Sequence, residues 1–158
     1  MNKKDTMFNE FIKHQPLDVR KWIVKVDKLL IDNDCKASVD NKGNFTYKSK
    51  ENDKIVCRIT LGETYCTIRP NTNNANNSDN MTNSFPDNML EIMRNTRGCG
   101  GCAAKNPNFT QCKHGGPYKF KHGNEEFEGC RFVGFNFALN ETRNYDVLEE
   151  WLRTELSA

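Results

Sequence analysis

The chain has 158 residues, with 23 Lys and Arg against 21 Asp and Glu and a formal net charge of +2. That length suits one domain around a single modest core, and so small a net charge gives no ground for nucleic-acid binding from the totals. No apolar run is long enough to span a bilayer, and none follows the charged Met1-Asn2-Lys3-Lys4, which argues against a signal peptide and for a cytoplasmic protein.

Residues 5–14 read as a short helix carrying Met7, Phe8, Phe11 and Ile12 and ended by Pro16. Val19, Trp22, Ile23, Val26, Leu29 and Leu30 then recur at helical spacing, so an amphipathic helix packs here on a core. Three strands are expected next. Residues 44–49 alternate Phe45 and Tyr47, residues 54–61 alternate Ile55, Cys57, Ile59 and Leu61, and residues 63–69 put Cys66 and Ile68 on one side, with Gly62 at the turn. Cys57 and Cys66 thus fall on the apolar side and read as buried small hydrophobes; Cys35 has no pattern around it.

Residues 71–83 are Asn-rich, lack periodicity and predict a flexible loop. Ser84-Phe85-Pro86-Asp87 opens a third helix, with Leu90 and Met93 on its apolar side and Gly98 as its stop. After a Cys-rich loop come a strand over 117–121, a turn at Gly123-Asn124, and one long strand over 127–139. On it Val133, Phe135, Phe137 and Leu139 share a side. Asn144 caps a last helix bearing Val147, Leu148, Trp151 and Leu152. The order predicts a single α+β domain over 1–158: a mainly antiparallel sheet of about five strands, with helices on one face and the Cys-rich loop between the third helix and the second hairpin.

In a reducing compartment seven cysteines read as metal ligands, redox groups or buried side chains, not as a disulfide framework. The segment 98–130 carries the chemistry. In Gly98-Cys99-Gly100-Gly101-Cys102, two cysteines two residues apart can turn both sulfurs to one point, and glycines permit the tight knuckle this needs. Cys112 supplies a third soft ligand and Cys130 the fourth, with His114 as the alternative because it shares a side with Cys112 in extended chain. A structural zinc ion is therefore the expected cofactor. A loop so poor in large apolar residues needs something to order it.

From Arg94 to His122 the chain has Arg94, Arg97, Lys105, Lys113, Lys119 and Lys121 and no acidic residue. Lys113, Lys119 and Lys121 are accordingly the expected contacts to a small molecule or a macromolecular partner. Catalysis is not expected: no nucleophile triad can be assembled around His14, His114 and His122, and no phosphate-loop or dinucleotide motif is present. Two alternatives stand beside this reading. One is a thiol–disulfide redox enzyme using Cys99 and Cys102, although such pairs usually open a helix and this one follows a helix. The other is a nucleic-acid-binding module that uses the basic 94–122 segment, where Tyr118 and Phe120 interleave with lysines. No membrane partner is expected.

Overall fold

Local chemistry sets the first two elements. The computed structural model describes residues 2–63, 65–71, 85–96, 117–130 and 134–157. Helix α1 (Lys3–Ile12) starts where the Asn2 side chain accepts a hydrogen bond from the Asp5 backbone N–H, filling one orphan donor of the first turn. It buries Phe8 and Ile12. Pro16 redirects the chain into α2 (Leu17–Asp32), which buries Val19, Trp22, Ile23, Val26 and Leu30 at the expected spacing. Buried Gln15 ties this corner to the sheet by donating from Nε2 to the Gly62 carbonyl at 2.7 Å.

The main sheet is antiparallel and five-stranded, in the order β1 (Cys35–Val39), β2 (Asn44–Ser49), β3 (Ile55–Leu61), β4 (Cys66–Pro70) and β7 (Phe137–Ala138). Its register aligns Val39, Phe45, Ile59, Ile68 and Phe137 in one row across all five strands. Strand alternation makes that row the inner face. Helices α1, α2 and α4 (Tyr145–Leu156) all lie against it. Phe8 meets Phe45 edge-on with centroids 5.7 Å apart, Tyr47 donates its hydroxyl to Asp27 Oδ1 at 2.7 Å, and Trp151 packs 5.9 Å from Phe137. The chain is thus an α+β protein with its helices on one face of the sheet. No helix among the described residues is long and apolar enough to cross a membrane.

Three details differ from expectation. Strand β1 was not foreseen, because its five residues carry only the weak alternation of Ala37 and Val39. In β3 the register slips between Tyr47 and Lys48, so Val56 is an extra residue and is buried beside Cys57. The expected long strand over 127–139 is two strands in two sheets. Among the described residues strand β6 (Glu125–Cys130) pairs with β5 (Pro117–His122) alone, while β7 joins the edge of the main sheet. Between them Gly134 takes φ +62, and a Cβ there would lie 2.9 Å from Arg69 Cδ, so a glycine permits both the turn and the close approach. Phe135, Phe137 and Leu139 are nonetheless all buried, as their alternation implies.

Helix α3 (Asp87–Asn95) buries Met89 and Met93, with Leu90 partly covered. Asn144 occupies the N-cap position of α4, yet its side chain donates to Asn88 Oδ1 at 2.8 Å in place of capping. The expected loop over 71–83 lies, apart from Asn71, outside the described residues, as do Ser84, Gly98 and Val133.

Candidate metal centre and its hairpin

The β5–β6 hairpin frames the candidate site. Its turn end is anchored to α3 and to Phe85, which leads into that helix. Arg94 donates from Nε and Nη2 to the two oxygens of Glu125 at 2.5 and 2.6 Å, a planar two-point pairing. This hydrogen bonding, more than charge alone, holds the Glu125 carboxyl below its usual range and raises Arg94. Nearby, His122 Nε2 accepts from the Phe85 backbone N–H at 3.1 Å. The His122 ring also packs 4.4 Å from Phe85, which in turn lies 5.4 Å from Trp151. Phe127 is buried in the same core.

The opposite end of the hairpin is where the Cys-rich loop arrives. Pro117 stands opposite Cys130 in the ladder, and His122 opposite Glu125. Five strand steps therefore separate the Cys130 rung from the His122 rung, about 17 Å. His122 and Glu125 cannot share a metal ion with Cys130. Cys99, Cys102, Cys112, His114 and Lys113 lie outside the described residues, and of Cys130 only the strand position enters the geometry. Among the described residues no group of three or more His, Cys, Asp or Glu could hold a metal ion.

The three remaining cysteines are placed clearly. Cys35, Cys57 and Cys66 are free thiols buried in the main core, as the strand pattern implied for the latter two. The basic segment looks different once folded. Lys119 stands opposite Glu128 and Lys121 opposite Glu126, so two of the three lysines expected to meet a partner have a glutamate at the facing ladder position. Such opposite-charge pairs stabilise a ladder, and Arg94 is committed to Glu125. What the sequence reading passed over is the outer side of the main sheet. The alternation that selects Ile59 and Ile68 also sends Arg58 and Arg69 outward as direct neighbours. A signal was present in the polar half of each strand pattern, but without strand pairing it had no geometry.

A cleft of about 380 Å³ opens between the end of α2, the β2–β3 turn and the end of α4, lined in part by Asp34, Glu51, Lys54 and Glu155. It contains no cysteine or histidine. Comparisons with protein-family models, curated proteins and solved structures find no match to this chain.

Proposed function

We propose that this chain is a small non-catalytic binding domain whose Cys-rich insertion is ordered by one structural zinc ion, held by Cys99, Cys102, Cys112 and Cys130, with His114 the alternative fourth ligand. The observation that carries this is the Pro117–Cys130 rung, which brings position 130 to the end of the hairpin where the loop re-enters. Chain reach is sufficient. Five steps from Cys112 to Pro117 extend at most about 18 Å, and eight steps from Arg94 to Cys102 at most about 29 Å, against the roughly 17 Å length of the hairpin. Four protein ligands close a tetrahedral zinc site and leave no open position for substrate, so the ion would order the loop and not react. Arg97, Lys105 and Lys113 would offset the charge of the thiolates. Lys113, Lys119 and Lys121 remain the sequence-derived partner contacts, but the Glu126 and Glu128 rungs weaken the part played by Lys119 and Lys121.

Elemental analysis of untagged protein purified without chelator should find one zinc per chain. A thiol titration should find almost no reactive cysteine until a chelator frees about four. Cys130→Ser should lower zinc occupancy and His114→Ala should not; the reverse result reassigns the fourth ligand. Metal-free protein with a reversible Cys99–Cys102 disulfide would overturn the reading in favour of thiol–disulfide exchange.

A further inference from the structure

Three of the four large apolar side chains exposed among the described residues lie in one line on α2. Leu17 is 61% exposed, Val24 51% and Ile31 40%, at intervals of seven residues. Isolated apolar residues on a surface are ordinary, but a row of them marks a contact. Seven residues make nearly two whole turns. The three therefore stay on one side of the helix over about 21 Å, drifting only about 20° per interval. The other side of α2 carries the buried Val19, Trp22, Ile23, Val26 and Leu30. Between the apolar positions the row holds Lys21 and Lys28, both exposed, with exposed Lys25 beside them. Lys25 pairs with Glu149 of α4 at 2.7 Å and Lys28 with Asp32 at 2.5 Å. Lys21, between Leu17 and Val24, makes no ion pair among the described residues.

We propose that this row is the docking seam for a helix of a partner protein. That helix is amphipathic over at least about four turns, with an apolar row against Leu17, Val24 and Ile31 and an acidic side chain facing Lys21. The proposal rests on the reading of the chain as a non-catalytic binding domain and supplies its partner; it draws on nothing in the metal site. A seven-residue apolar repeat is matched by another helix, which keeps in step along it when the two axes cross at about 20°. The lysine stems extend the apolar surface while their ammonium groups stay at its rim. Charge selects the occupant. A second copy of this chain would set Lys21 against Lys21 in parallel alignment, and beside Lys28 when antiparallel about Val24, so self-pairing is opposed. An anionic bilayer fits less well, because adsorption to lipid takes a broad apolar face and a cluster of free cations. This row is one residue wide, and Lys25 and Lys28 already face carboxylates. A partner carboxylate opposite Lys21 supplies the ion pair that the fold does not.

The test is selection from a displayed library of helical peptides of about 18 residues, with leucine fixed along one seam and Glu, Gln or Lys allowed beside it. The purified full chain is the bait, and fluorescence anisotropy then measures the recovered peptides. Glutamate should be enriched beside the seam. Val24→Asp, at an exposed position, should leave the melting temperature nearly unchanged and weaken the recovered peptides at least about tenfold. Lys21→Glu places a carboxylate four residues before Lys25, a pairing that helices favour. It should therefore fold normally and change the preference from glutamate to lysine, which a folding defect would not do. Enrichment of lysine by the unaltered chain, or recovery of no peptide, overturns the proposal. Binding to phosphatidylserine vesicles that Val24→Asp abolishes also overturns it and assigns the row to a bilayer. A dimer in sedimentation velocity that the same substitution dissociates overturns it in favour of a second copy. Zinc-containing protein that recovers no peptide sinks the seam and leaves the metal site standing. Zinc-free protein that recovers glutamate-rich peptides supports the seam while the zinc reading fails.

Discussion

At the scale of single residues, burial and charge decide which reactive groups can react. Burial pushes the Cys66 thiol up to about 12, drives Cys57 higher still, and raises Cys35 with added help from Asp34. The thiolate is the reactive form. Iodoacetamide at pH 8 should therefore spare all three in the folded protein and modify them in denaturant, read by peptide mapping; labelling of Cys57 in native protein would contradict the packing. Asp53 shows the opposite shift. Its hydrogen bond to Lys36, followed by the charges of Lys36 and Lys48, holds its carboxyl below the usual range. A depressed carboxyl contributes stability above its unfolded pKa of about 3.9 and loses it as pH falls through the folded value. Asp53 also sits at φ +59, a conformation asparagine tolerates. Asp53→Asn should lower the melting temperature at pH 7, with the gap closing as pH falls from about 5 towards 3.

Among the elements, neighbouring residues of one strand have opposite roles. Ile59 is fully buried in the row that crosses all five strands. Ile59→Ala should cost about 2–5 kcal/mol in urea unfolding, since it removes apolar atoms and leaves a cavity. Arg58→Ala, one residue away on the outer face, should be neutral within about 0.5 kcal/mol or slightly stabilising, because it relieves a like-charged neighbour. Equal losses at both positions would mean that the outer face is not what the register makes it. The hairpin has the reverse design, with Lys119–Glu128 and Lys121–Glu126 as complementary rungs. The two ladders therefore differ in which charge types they place opposite one another: unlike in the hairpin, like at Arg58 and Arg69.

Across the whole molecule, stability should be uneven. Strand β3 is flanked on both sides and packed beneath α1 and α4, whereas an isolated two-stranded hairpin is marginal in water. The β5–β6 hairpin is held at its turn end by Arg94, Phe85 and the buried Phe127, and under the zinc proposal at its other end by Cys130. Hydrogen exchange should be slowest in α2 and β3 and faster in the hairpin. Chelation should release protection at the Cys130 end while the main sheet stays protected; loss of protection throughout would mean that the metal supports the whole fold.

Much of this architecture was legible in the chain. The 3.6-residue recurrence of Val19, Trp22, Ile23, Val26 and Leu30 and the alternation of Phe45 with Tyr47 and of Ile59 with Leu61 are local signals, because burial selects the same side of each element wherever it packs. Those patterns alone determined the helices, three central strands and the burial of Cys57 and Cys66. They could not reveal that residues 127–139 divide between two sheets, since alternation does not name a strand's partner and the break depends on Gly134 passing close to Arg69. Nor could they show that Lys119 and Lys121 stand opposite glutamates while Arg58 stands opposite Arg69. Register is a relation between segments distant in sequence, and only the tertiary structure decides which charges become neighbours.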